Sequence, residues 1–134
     1  MRPAREAWWV IGSAAVALLG GGPLEVADVD VLVAPADADR VFGALGLAAH
    51  PGNPDARFRS ALFACWDAPP REVEFMSGLQ VNTADGWRPV QPRTRRAMTL
   101  GGATLFTPSR EELRQILLTF GRTKDHERAA LLAG

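Results

Sequence analysis

Residues 8–33 read WWVIGSAAVALLGGGPLEVADVDVLV, and the first half of this stretch predicts a strand followed directly by a helix. The apolar run at residues 8–11 is typical of a short buried strand, and it ends at Gly12. Ser13 then begins a run of small and apolar residues that reaches Leu19. Three glycines and a proline follow, so we expect the helix to be compact and to stop there.

The second half of the stretch has the alternation of a strand with two different faces. Over residues 26–33 the even positions carry Val, Asp, Asp and Leu, whereas the odd positions carry only Ala and Val. Successive side chains of a strand point to opposite faces. We therefore expect Asp28 and Asp30 to lie on the same face, with an apolar face behind them.

A pair of aspartates on one face of such a strand has two interpretations. Burial and mutual repulsion raise the free energy of the two charges unless a cation or hydrogen bonds compensate them. Carboxylate oxygens at this spacing suit Mg²⁺ or Mn²⁺. The alternative is an exposed strand end where both charges face water, and the spacing alone favours this alternative.

The rest of the chain alternates between predicted helices and strands. A helix is expected over residues 37–45, because Gly46 follows its last apolar residue. Strands are expected over residues 56–66 and 72–76, a hairpin over residues 95–100 and 103–106, and a loop over residues 78–92.

The C-terminal part of the sequence predicts two helices. Ser109 and Glu112 have the spacing of a capping box, in which each side chain accepts from the other residue's backbone N–H. Apolar residues follow at helical spacing and predict one buried stripe; they are Leu113, Ile116, Leu117 and Phe120. Gly121 ends this helix, and Thr123 is expected to cap a last helix that runs to about residue 132.

Length and composition limit the classes of protein that this chain can be. A chain of 134 residues with 47% apolar residues can build one core, so we expect a single domain over residues 1–134. Fifteen basic and fifteen acidic residues balance, so no overall field attracts the chain to nucleic acid or a membrane. With one cysteine, Cys65, a disulfide framework is excluded, and this residue is interpreted as a small buried side chain. No secretory signal or membrane-spanning run is apparent, so we expect a soluble cytoplasmic protein.

The order of these features resembles a known superfamily. Gly12-Ser13, a helix and then alternating aspartates on a strand resemble the nucleotidyltransferase superfamily with the DNA polymerase beta-like fold, especially its small single-domain bacterial members. The segment 121–125, Gly-Arg-Thr-Lys-Asp, extends the resemblance, which covers about residues 8–132. It implies an α/β (α+β) fold with a mixed β-sheet flanked by helices.

The resemblance also implies a set of catalytic and metal-binding carboxylates. These are Asp28, Asp30 and, on a later strand between two apolar residues, Glu74. Glu72 shares the face of Glu74 and is the alternative third carboxylate. The cofactor implied for this set is Mg²⁺ or Mn²⁺.

A second set of residues is implied for binding the nucleotide. Gly12 and Ser13 match the turn that holds the triphosphate, and Arg122 and Lys124 match the basic segment near the nucleotide. Two residues that relatives often carry are missing here: a basic or hydroxyl residue just before the aspartate pair, and a Lys in the penultimate helix, where Leu117 stands. Fewer cations mean less charge compensation for a polyanion.

Two functions therefore compete at this point. The first is a metal-dependent nucleotidyltransferase that moves a nucleoside monophosphate from a nucleoside triphosphate to a small molecule, a protein side chain or an RNA end. The second is a non-catalytic binding module with the same fold, such as one half of a toxin–antitoxin-like pair, with a partner protein or a second copy of the chain as its partner. The three carboxylates favour the first; the missing cations and the lack of a separate acceptor-binding domain favour the second.

Overall fold

The computed structural model describes residues 7–20, 28–48, 50–51, 57–67, 72–100 and 102–133. The strands in these ranges are β1 (Trp8–Ile11), β2 (Asp28–Val33), β3 (Phe58–Arg59), β4 (Leu62–Trp66), β5 (Glu72–Ser77), β6 (Gln80–Thr83), β7 (Gly86–Pro89), β8 (Arg96–Leu100) and β9 (Ala103–Thr107). The helices are α1 (Gly12–Leu18), α2 (Ala38–Leu45), α3 (Arg110–Phe120) and α4 (Thr123–Leu131), with a 3-10 turn at Pro35–Asp37 before α2. None of these described helices is long and apolar enough to cross a membrane.

The main sheet has four strands in the order β1-β2-β5-β4. Its two central strands, β2 and β5, run parallel, whereas β1 and β4 lie antiparallel at the edges. Two smaller sheets are formed by β3, β6 and β7 and by β8 and β9. The expected mixed sheet flanked by helices is therefore confirmed.

One face of the main sheet is core. Val10, Val31, Phe75 and Ala64 form a row across all four strands in register, and none of them is more than 4% exposed. The ring of Phe42 in α2 meets that of Phe75 edge to face, with 6.3 Å between centroids. Because side chains alternate, the neighbouring positions of these strands point to the other face.

Most predicted elements are confirmed. The strand over residues 8–11, the helix after it, the helix ending at Gly46, the strand from Glu72 and the hairpin of β8 and β9 agree with the sequence to within two residues. The strand predicted over residues 26–33 is described from Asp28 onward, since residues 21–27 lie outside the described ranges.

The prediction of a loop over residues 78–92 is wrong. The strands β6 and β7 form a hairpin there, with Thr83 paired to Gly86. Gly86 has φ 101°, a left-handed conformation that favours glycine, and its carbonyl oxygen accepts from the Thr83 hydroxyl at 2.9 Å. Asp-Gly between two short strands is a recognised hairpin signal, so the sequence did contain the information.

The prediction of one strand over residues 56–66 is also wrong in part. The strand is interrupted after Arg59. The first part, β3, pairs with β6, whereas the second part, β4, pairs with β5. Gly78 lies against the break, since a β-carbon added there would be 2.9 Å from the Ala61 side chain. Two strands that belong to different sheets therefore occupy the single predicted segment, whose first residue lies outside the described ranges.

The two C-terminal helices begin differently from the predicted pattern. Ser109 accepts from the Glu112 N–H at 3.2 Å, as expected, but its own N–H donates to the Thr94 hydroxyl and not to Glu112. The N-cap of α4 is Arg122, with Thr123 as the first helical residue. The backbone N–H of Arg122 donates to the Asp125 carboxylate, and this hydrogen bond replaces the expected cap by the Thr123 side chain.

Candidate functional site

A row of four residues crosses the face of the main sheet opposite the apolar core row. Ile11, Asp30, Glu74 and Cys65 are register partners on β1, β2, β5 and β4 in turn. We call this set the carboxylate row. Neighbouring strands lie about 4.8 Å apart, so Asp30 and Glu74 are adjacent positions on one face.

The acidic residues of β2 pair with the acidic residues of β5. Asp30 is the register partner of Glu74, and the backbone of Asp28 is in register with that of Glu72. The parallel pairing of two strands that are distant in the chain thus brings Asp30 and Glu74, and next to them the backbone positions of Asp28 and Glu72, to one end of the sheet. Like charges placed directly across a strand pair repel one another, which a cation can offset.

The two candidate glutamates differ in exposure. Glu74 is half-buried, beside Asp30, whereas Glu72 is exposed. Oδ1 of Asp30 is also shielded from solvent. Glu74 is thus the register partner of Asp30, and Glu72 lies two residues away on the same face of β5.

Cys65 belongs to this site, which the sequence interpretation missed. Its thiol is exposed, so the expected burial is wrong. Ligand atoms of Cys65, Glu72 and Glu74 lie within 4.8 Å of one another. The alternation of β4 supplied a signal, because it turns Ala64 into the core and Cys65 to the opposite face, but only the pairing with β5 reveals which residue Cys65 faces.

The turn at Gly12 lies against the carboxylate row. Gly12 has φ 67°, and a β-carbon added there would lie 3.1 Å from Oδ2 of Asp30. Ser13 follows in the first turn of α1 and is 7% exposed. The structure therefore brings the predicted phosphate-binding turn and the predicted metal-binding strand together.

The predicted basic residues are placed differently. The Arg122 side chain binds Asp125, with 2.6 Å from Nε to Oδ2 and 3.0 Å from Nη2 to Oδ1, and its guanidinium lies 4.9 Å from the centre of the Phe58 ring. Asp125 is fully buried. Lys124 is exposed in the first turn of α4. Arg122 is thus held in a structural ion pair and not at the carboxylate row.

A carboxylate with an altered pKa lies outside the row. Burial alone would raise the pKa of Glu112. The carboxylate, however, accepts hydrogen bonds from the Thr94 hydroxyl and from the backbone N–H groups of Arg93 and Thr94, and it lies near the Arg93 charge. These interactions outweigh burial and lower the pKa below 4.5. The N–H bonds from Arg93 and Thr94 are each 2.8 Å long. Glu112 therefore fixes the segment before β8 to α3 and is a structural group.

Comparison with solved structures identifies the fold as that of the nucleotidyltransferases. TM1012 from Thermotoga maritima, which is assigned provisionally as a nucleotidyltransferase, superposes with a TM-score of 0.75 at 22% identity, over 95% of this chain and 81% of its own. Comparisons of the sequence with protein-family models and with curated proteins gave no match.

Two enzymes that modify antibiotics share the same fold. The lincosamide adenylyltransferase LnuA, solved with lincomycin, has a TM-score of 0.57 at 13% identity, over 94% of this chain and 85% of LnuA. ANT(2'')-Ia, solved with adenylyl-2''-tobramycin, has a TM-score of 0.52 at 11% identity, over 93% of this chain and 76% of its own. The likeness establishes the architecture.

Proposed function

We propose that this protein is a metal-dependent nucleotidyltransferase, which transfers a nucleoside monophosphate from a nucleoside triphosphate to an acceptor hydroxyl. The observation that carries the proposal is the register of β2 and β5, which sets Asp30 beside Glu74 and Asp28 level with Glu72. The nucleotidyltransferase fold and the Gly12 turn against Asp30 support it.

The residues fit a hard divalent cation. Carboxylate oxygens are the donors that Mg²⁺ and Mn²⁺ prefer, and Asp28, Asp30 and Glu74 would supply them. Gly12 leaves open a space beside Asp30 that any side chain would fill. When bound, the metal stabilises negative charge on the attacking and leaving oxygens of phosphoryl transfer.

The turn after β1 is proposed to hold the triphosphate. A phosphate oxygen needs close approach to backbone N–H groups, and Gly12 has no side chain to block it. Ser13 adds the next backbone N–H at the start of α1. Lys124 is exposed and is proposed to contact a phosphate from the start of α4; Arg122, held by Asp125, would contribute through positioning this segment.

The proposed reaction has one bond formed and one broken. The acceptor hydroxyl oxygen bonds to the α-phosphorus, and the bond from that phosphorus to the pyrophosphate oxygen breaks. The hydroxyl proton passes to a carboxylate, and we propose Glu74, as the alternative to completing the metal site; its register pairing with Asp30 supports this role.

The test is binding followed by transfer. Titration calorimetry with Mn²⁺ is expected to show binding that Asp30→Asn abolishes, while Asp39→Asn, a control at an exposed aspartate in α2, leaves the affinity unchanged. Each nucleoside triphosphate with Mn²⁺ is expected to raise the melting temperature of the wild-type protein. Metal and nucleotide binding without any transfer of an α-phosphate label would instead favour the non-catalytic binding module.

A further inference from the structure

A second row crosses the same face of the main sheet, one register step beyond the carboxylate row. Trp9, Leu32, Met76 and Phe63 are register partners on β1, β2, β5 and β4. We call this set the apolar row. Two residues of a strand span about 7 Å, so the apolar row begins within the length of a small molecule from Asp30 and Glu74.

Three residues of this apolar row line a cavity, whereas Phe63 and the residues of the carboxylate row do not. The volume of the cavity is about 350 Å³, and its walls include Trp9, Leu32 and Met76 from the main sheet and Leu79 and Val90 from the segment that carries β6 and β7. A volume of this size is within the range of pockets that bind small molecules. Neither a folded protein partner nor a nucleic-acid helix can enter such a space.

The described residues that line the cavity carry no charge. The Trp9 indole N–H donates to the Thr94 carbonyl oxygen at 2.8 Å, so it is already satisfied. Gln80 and Gln91 supply the amide groups of the lining. A charged ligand would lose part of its hydration here, and no lining residue would supply a counter-charge, which is unfavourable. The lining therefore favours a neutral and largely apolar occupant.

The position of the cavity matches the requirement for in-line transfer. Gly12, where the leaving pyrophosphate is proposed to bind, follows β1 at one side of Asp30, whereas Trp9 and Leu32 lie at the other side along the strands. In-line displacement places the attacking oxygen opposite the leaving oxygen. The acceptor is thus expected on the side of the apolar row.

We infer that the acceptor is a neutral, mainly apolar small molecule that carries a hydroxyl group, bound in this cavity with its hydroxyl directed toward Asp30 and Glu74. This inference rests on the proposed function. It argues against an RNA end, whose phosphates need cations that the described lining lacks.

Three matched probes test the charge of the occupant. They are para-trifluoromethylbenzyl alcohol, the corresponding benzylamine and the corresponding benzoate, each followed by fluorine NMR on the full chain. The alcohol is expected to bind, and the two charged probes are expected to bind at least about tenfold more weakly, because a tenfold change corresponds to only about 1.4 kcal/mol. Equal or tighter binding of a charged probe would overturn the inference.

Two alanines give a matched pair of variants. Ala34 lines the cavity, whereas Ala36 is exposed and does not. Ala34→Trp is expected to fill the cavity and abolish binding of the alcohol, and Ala36→Trp is expected to leave it unchanged. Retained binding in Ala34→Trp would contradict the location. The comparison of the three probes on the wild-type protein needs no variant, so it decides the charge even if Ala34→Trp does not fold.

Two further measurements separate this inference from the proposed function. Adenosine is a neutral nucleoside, and its displacement of the alcohol would mean that the cavity holds the nucleotide base and not the acceptor. Binding of Mn²⁺ with each of the four nucleoside triphosphates, and its loss in Asp30→Asn, is measured on the same samples. If that binding is present and the alcohol does not bind, only the acceptor assignment fails. If that binding is absent, the proposed function fails, and the acceptor role fails with it.

Discussion

Gly12 and Asp30 are in contact distance across the junction of β1 and α1: a β-carbon on Gly12 would lie 3.1 Å from Oδ2 of Asp30. The contact is tighter than ordinary van der Waals packing of a methyl group and a carboxylate. Gly12 also has φ 67°, a conformation that other residues adopt at a cost. Position 12 therefore favours glycine for two separate reasons: its left-handed backbone conformation and the lack of space for a β-carbon beside Asp30.

Gly12→Ala separates these two requirements when it is compared with Gly46→Ala. Gly46 has φ 69°, but nothing lies within 4 Å of an added β-carbon. Both variants are expected to lose about 1 to 2 kcal/mol of unfolding free energy from the left-handed conformation. Only Gly12→Ala is expected to lose affinity for a nucleoside triphosphate with Mn²⁺. Urea denaturation and calorimetry measure the two effects, and equal nucleotide affinity in both variants would make Gly12 purely structural.

The two glutamates of β5 are expected to differ in metal binding. Glu74→Gln removes the carboxylate beside Asp30 and should weaken Mn²⁺ binding by at least about 10-fold, because loss of a ligand costs no less than loss of a group that only supports one. Glu72→Gln, at the exposed position level with Asp28, should have a smaller effect. Calorimetric titration of both variants measures this. The reverse order would assign the third carboxylate to Glu72.

Cys65 offers a direct report on occupancy of the carboxylate row. It is the only cysteine in the sequence, and its thiol is exposed within 4.8 Å of ligand atoms of Glu72 and Glu74. Alkylation by iodoacetamide is expected to slow about tenfold when Mn²⁺ and ATP are present at ten times their Kd. Mass spectrometry follows the rate, and Cys65→Ser verifies the labelled residue. An Asp30→Asn variant should show no protection; protection that persists in it would place the ligand elsewhere.

The lowered pKa of Glu112 predicts how stability changes with pH. A carboxyl group whose pKa is lower in the folded state stabilises the fold above its unfolded pKa, near 4.5, and this contribution is lost as the pH falls through the folded value. Glu112→Gln should therefore be destabilised by about 1 kcal/mol at neutral pH, from weakened hydrogen bonds to an ionised acceptor. The difference from wild type should shrink as the pH falls below 4.5.

Glu111→Gln is the control for this prediction. Glu111 is the adjacent residue of α3, its side chain is 72% exposed, and it pairs with Arg114 at 3.3 Å. Exposed pairs of this kind contribute about 0 to 1 kcal/mol. Chemical denaturation of both variants at several pH values measures the effect. A pH dependence equal in the two variants would show that Glu112 has no special contribution.

Arg122 and Lys124 should separate into a structural and a functional residue. Arg122→Ala leaves the fully buried Asp125 without its guanidinium partner and should cost about 1 to 3 kcal/mol of unfolding free energy. Lys124→Ala, at an exposed position, should change stability by less than about 0.5 kcal/mol but should weaken nucleotide binding. Thermal denaturation and nucleotide titration test the pair. Full nucleotide affinity in Lys124→Ala would remove Lys124 from the site.

The sequence predicted those parts of the site that depend on local pattern. The alternation around Asp28 and Asp30 and the glycine that ends β1 are local signals, and each led to the correct element. The hairpin of β6 and β7 was also accessible, through Asp85-Gly86. By contrast, the exposure of Cys65 depends on which strand β4 pairs with, and that pairing is determined by tertiary contacts and not by local sequence.

The partners of Glu112 show the same limit. The spacing from Ser109 predicted a capping box, and half of it forms. The carboxylate instead accepts from Arg93 and Thr94, which approach only because the segment before β8 passes the start of α3. The capping-box pattern predicts that Glu112 accepts from the Ser109 N–H. In the folded chain it accepts instead from the donors of Arg93 and Thr94, which are distant in sequence.

The parallel pairing of β2 with β5 makes the order of folding relevant to the site. The two strands are separated by α2, β3 and β4 in the chain, so their pairing requires closure of a long loop whose entropy must be lost before the contacts form. Their like-charged ends oppose that closure, since Asp28 meets Glu72 and Asp30 meets Glu74. A divalent cation bound between them would offset that repulsion, and because the unfolded chain holds no preformed site, its binding free energy would add to the free energy of unfolding.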